Sequence, residues 1–161
     1  MRMRVALAIC AALAVGACGR GSPASPGPDD PGALKAAPTS VALASRTLTL
    51  STYLWRDFQP ISPADGKALS GVLRVGTSDG SGVPSRVTAD RAWVIFGEQV
   101  WQATPSETGS RDGTSPIYEL VVRDGPKWGP GVSVDVVVRL QDGSGRSVLL
   151  RAASQLIQRT D

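Results

Sequence analysis

The chain has 161 residues, 17 Lys and Arg against 14 Asp and Glu, a formal charge of +3, and no His. Without His there is no His-dependent serine triad, no His-ligated zinc and no His-ligated haem. So small a charge argues against a nucleic-acid partner. The length suits one ordinary domain plus a tail.

Arg2 and Arg4 precede an uncharged apolar run, Val5 to Ala17, of 13 residues. A membrane-spanning helix needs about 20 such residues. The run instead has the length and flanks of a secretory signal peptide, residues 1–17. It ends in Val15-Gly16-Ala17-Cys18. That string resembles the lipobox of bacterial lipoproteins, in which the Cys thiol receives a diacylglyceryl group and becomes the new N-terminus. The resemblance implies an exported protein held to a membrane through lipid on Cys18. Gly19 follows, where Asp is the usual inner-membrane retention signal of diderm bacteria, so the resemblance implies the outer membrane, facing the periplasm, in such an organism. Two or three acyl chains anchor stably where one anchors only marginally. With Cys10 removed and Cys18 blocked, no thiol remains for a disulfide, a metal or a redox cofactor. No cofactor is expected.

Residues 18–45 read as the lipidated Cys and a tether. Gly19 to Ser45 holds five Pro, four Gly and no aromatic residue, a composition too poor in apolar surface to offset ordering entropy. It is expected to make no core contacts.

From Arg46 to Asp161 the periodicity is two. Leu48, Leu50 and Leu54 alternate with polar residues, and Leu69, Gly71, Leu73 and Val75 share a face. Ala92–Phe96 and Val100–Ala103 flank Gly97-Glu98, a hairpin spacing. Ile117–Arg123, the alternating Val132 to Leu140, and Arg146–Ala153 follow. Residues 62–68 have room for one helical turn. About seven strands with turn signals between them predict an all-β domain over 46–161. The expected form is an antiparallel β-sandwich of immunoglobulin or fibronectin-III type, with a small barrel as the alternative. Val136 is expected to face the core and Val137 a wetter side.

Two segments stand out as candidate binding residues. Arg123 to Gly131 (RDGPKWGPG) sets Asp124, Lys127 and Trp128 in a loop stiffened by two Pro. Tyr53-Leu54-Trp55-Arg56-Asp57-Phe58 packs three aromatics, Arg56 and Asp57 into six residues, with Tyr53 and Trp55 on the strand face opposite Leu54. These strings, with VDVVVR, resemble recurring segments of small exported bacterial proteins without an assigned activity; the resemblance implies a compact domain and no reaction. No Gly-x-Ser-x-Gly elbow, calcium loop or diagnostic Glu pair is present. The expectation is a non-enzymatic binding or envelope-assembly module with an envelope-protein partner. The alternatives are a carbohydrate-binding module stacking glycans on exposed Trp and Tyr, and an Asp/Glu hydrolase drawing on Asp57, Asp124, Glu119 and Asp135.

Overall fold

The computed structural model describes residues 29–161. The expected signal peptide and Cys18 lie outside the described residues.

The all-β expectation holds. After a five-residue helix, α1 (Pro31–Lys35), come nine strands. They are β1 (Ser40–Leu43), β2 (Arg46–Asp57), β3 (Leu69–Thr77), β4 (Thr88–Phe96), β5 (Gln99–Ala103), β6 (Ser106–Glu107), β7 (Ile117–Gly125), β8 (Ser133–Gln141) and β9 (Ser147–Thr160). Residues 62–68 form turns rather than a helix.

The strands follow one path, β5-β4-β8-β9-β2-β3-β7-β6, with β1 pairing separately with β2. The path is one curled, mixed sheet around a shared core, with two sides, layer A and layer B. Layer A holds β1, β2, β3, β7 and β6; layer B holds β5, β4, β8 and the first part of β9. β9 belongs to both. Its start runs antiparallel to β8, and its end, from Ile157 to Thr160, runs parallel to Leu54–Asp57 of β2. That parallel pairing overturns the expected purely antiparallel, immunoglobulin-like sandwich. The cause is local: the register with β8 shifts between Val134 and Val136. Ser154 adopts φ 54° and donates its N–H to Asp135 Oδ1 at 3.0 Å. A bulge of this kind bends and twists a strand, and it carries β9 from one layer to the other. At the opposite margin, β5 and β6 are separated only by Thr104 and Pro105, so the chain itself crosses between the layers there.

Leu48, Leu54, Leu73 and Val75 of layer A meet Val94, Val136, Val138 and Leu140 of layer B in one core. Glycine is required where layers or strands approach closely. A Cβ on Gly71 would lie 2.4 Å from the Leu54 side chain, and one on Gly125 would lie 2.6 Å from the Trp101 ring.

The described residues before Arg46, from Asp29 onward, pack on the domain instead of standing clear of it. Asp30 caps α1, accepting the Ala33 N–H at 2.6 Å, with Pro31 at the first helical position. Leu34 and Ala37 pack against Trp93, Ile95 and Val137 on the outer face of layer B. Lys35 Nζ donates to the Gly97 carbonyl at 2.5 Å. The chain then climbs as β1, antiparallel to Arg46–Thr49 of β2, and buries Leu43. The expected tether over 30–45 is therefore a strap. Its Leu side chains find an apolar floor that no local composition reveals.

Candidate functional site

The segments marked by sequence come together in part. At the end of the molecule where β2, β9 and β4 finish, Arg56 is buried, 4% exposed. A buried guanidinium must satisfy its N–H groups or pay a large desolvation cost. Here it does so entirely on backbone carbonyls. Nε donates to Lys67 O at 2.9 Å, and Nη1 to Lys127 O at 3.1 Å and to Gly129 O at 2.7 Å. Nη2 donates to Asp65 O. Arg56 thus clamps the β2–β3 loop to the β7–β8 loop. Lys127 Nζ adds an ion pair with Asp65 Oδ2 at 2.6 Å, which holds the Asp65 carboxyl below the usual carboxylate range. Phe58 lies against two guanidinium groups, Arg56 at 5.1 Å and Arg159 at 4.2 Å from its ring centre.

Trp128 lies half-buried in the same loop, packed on the core with its ring 5.8 Å from Phe96. Asp124 lies exposed near the end of β7, with φ 63°.

Tyr53 and Trp55 lie elsewhere, on the outer face of layer A. Tyr53 is 45% exposed, and its ring meets Trp55 at 5.5 Å with 29° between planes. Two rings lying side by side in one plane would have centres further apart, so these two face each other. Across the strands, Tyr53 sits opposite Val72, and Val72 opposite Val121. The parallel register of Leu54 with Ile157 sets Leu156, 46% exposed, beside Tyr53 one step back. An apolar row, Leu156–Tyr53–Val72–Val121, therefore crosses four strands. The neighbouring row is polar: Arg74 Nε and Glu119 Oε2 pair at 2.8 Å. Sequence reasoning found Tyr53 and Trp55 but missed Val72, Val121 and Leu156. Alternation marked their faces, but only strand order aligns them.

The four carboxylates considered for hydrolysis each have separate surroundings. Asp57 pairs with Lys67 at 2.8 Å, Glu119 with Arg74, and Asp135 holds the β9 bulge, while Asp124 lies exposed in β7. None lines either the cleft of about 440 Å³ at the β1–β2 turn or the hollow of about 270 Å³ beside Trp93. Among the described residues no group of three or more His, Cys, Asp or Glu gathers as a metal site, and no helix is long and apolar enough to cross a membrane. Comparisons with protein-family models, curated proteins and solved structures find no match to this chain.

Proposed function

We propose that the protein is a lipid-anchored, extracytoplasmic, non-enzymatic module that engages an envelope protein through the outer face of layer A. Cys18 carries the anchor in this reading, and the β domain is displayed from it; in a diderm organism the site is the outer membrane, on its periplasmic side. One observation carries the choice of surface. On the outer face of layer B, Trp93, Ile95 and Val137 are covered by Leu34 and Ala37, whereas layer A presents the row Leu156–Tyr53–Val72–Val121, with half-buried Trp55 beside it and nothing among the described residues lying over it. Contiguous exposed apolar patches of this kind mark interaction sites, and Tyr and Trp are favoured interface anchors. The ring geometry favours a protein over a glycan partner. Sugars stack on rings that lie open, whereas Tyr53 and Trp55 each use one face on the other.

The reading is tested by placing a photoreactive residue at Val72 and irradiating intact membranes. The expected product is a discrete protein adduct, lost with Tyr53→Ser and absent when the probe sits at Ile61, which is 87% exposed on the β2–β3 loop. Equal labelling from both positions, or adducts only with polysaccharide, would overturn it. Unmodified Cys18 in the wild-type membrane fraction, read by mass spectrometry, would remove the anchor.

A further inference from the structure

At the end opposite the Arg56 clamp, Ala44 and Ser45 form the two-residue turn between β1 and β2, with φ 51° and 63°. Among the described residues, neither turn amide donates a backbone hydrogen bond. The cleft of about 440 Å³ opens on this turn, and Ser45, Arg46, Ser78, Asp79 and Arg146 are among the residues lining it. Arg46 opens β2, and Arg146 comes from the β8–β9 hairpin. A third guanidinium, that of Arg86 from the loop before β4, donates to the Ala44 carbonyl at 3.4 Å. Three separate loops thus bring three arginines to one turn.

Like Lys35, Arg56, Arg91, Arg123 and Arg151, they form no ion pair among the described residues; what sets them apart is that they gather at one turn. Arg74, Arg111, Arg139 and Arg159 all pair with carboxylates, as do Lys67 and Lys127. Among the described residues, no carboxylate lies within ion-pair distance of Arg46, Arg86 or Arg146. Two carboxylates lie nearby: Asp79 lines the cleft with its Oδ1 engaged by the Ser81 N–H at 3.0 Å and hydroxyl at 2.5 Å, and Asp142 accepts the Arg146 N–H at 3.1 Å; both are held ionised, which leaves three guanidiniums in excess over two carboxylates. Like charges gathered in a recess raise its potential and concentrate anions there. A guanidinium fork matches the oxygens of phosphate better than a point charge does. The hydroxyls of Ser45 and Ser78 and the free turn amides supply neutral donors for the remaining oxygens.

We propose that this cleft binds a phosphate-ester oxyanion, with Arg46 and Arg146 as its paired ligands and Arg86 as a third charge at the rim. The same group occurs on soluble phosphate esters and on phospholipid headgroups. The test is protection of individual arginines from phenylglyoxal, read by peptide mass spectrometry on the full-length protein. One arm uses detergent with inorganic phosphate or glycerol 3-phosphate. The other uses phosphatidylcholine liposomes with and without phosphatidylglycerol.

The expected result is saturable slowing of modification at both Arg46 and Arg146, by about tenfold. Arg123, exposed at the other end, should be unaffected. Arg46→Gln should abolish protection of Arg146, with the circular dichroism spectrum unchanged. Protection by soluble esters identifies a soluble ligand; protection only by phosphatidylglycerol liposomes identifies a headgroup. The proposal is overturned by equal protection from chloride at matched ionic strength, by equal protection of Arg123, by no protection from any probe, or by protection of Arg146 that survives Arg46→Gln.

Discussion

At the scale of single residues, Arg56 shows how a sequence feature that reads as a binding group can serve the fold. Its position beside two aromatics suggested a ligand surface, but its charge is solvated by four carbonyls from two loops. Arg56→Met keeps the bulk and strands those acceptors, so the domain should lose at least about 1–3 kcal/mol, the cost of a buried carbonyl left unpaired, measured by urea unfolding. A loss below about 1 kcal/mol would mean that water replaces the guanidinium freely. The valines of β8 correct a second expectation. Val136 faces the main core, yet Val137 is equally buried, beneath Leu34 and Ala37. Val136→Ala and Val137→Ala should therefore each cost about 1–3 kcal/mol. A Val137 variant as stable as wild type would show that the strap does not sit where described.

Among the elements, the strands were legible and the strap was not. Period-two alternation and Gly-rich turns are local signals, and they located β2, β3, β4, β5, β7, β8 and the start of β9. A five-residue helix carries almost no signal of its own, and Ser40–Leu43 is short and weakly apolar. Both are ordered by floors supplied from far along the chain, Trp93 and Val137 for α1 and Arg46–Thr49 for β1. The candidate site was readable to the same extent: Tyr53 and Trp55 from one strand, their apolar neighbours only from strand order. Deleting residues 30–45 removes the buried Leu34 and Leu43 and uncovers Trp93 and Val137. The expected loss is roughly 3–6 kcal/mol, seen as a large fall in Tm. A Tm within a degree or two of wild type would restore the tether reading.

For the whole molecule, the parallel join of β9 to β2 decides the architecture, and it depends on a register over a hundred residues apart that no local pattern encodes. Charge placement sets its response to pH. Hydrogen bonds from Lys67, Lys127 and Arg139 hold Asp57, Asp65 and Asp90 low, and hydroxyls of Ser81, Thr114 and Ser144 do the same for Asp79, Asp112 and Asp142. Groups with depressed folded values contribute stability that is fully present above their unfolded value, near 4, and lost as pH falls through the folded value. At the alkaline end, burial and the hydrogen bond to Glu107 push the Tyr118 hydroxyl up. The unfolded chain then ionises first, so stability falls above about pH 10. With no His, the profile between about pH 5 and 8 should be flat. A thermal-unfolding midpoint that changes steeply across that window would contradict this account.

The strap also bears on mechanics. If the chain is held at Cys18 and a partner grips layer A, any pull between envelope layers enters the domain at α1. That helix is seated by a few side chains, and β1 meets the load as a hairpin opened one rung at a time. The strap should yield first, while the layers behind it stay folded. Its release adds about 50 Å of slack at roughly 3.3 Å per residue. In a force-ramp experiment between Cys18 and the C-terminus, this appears as a small early extension step before the main rip, and a single all-or-none rip would rule it out. The protein would then act as a mechanical fuse, lengthening its leash before surrendering its binding face.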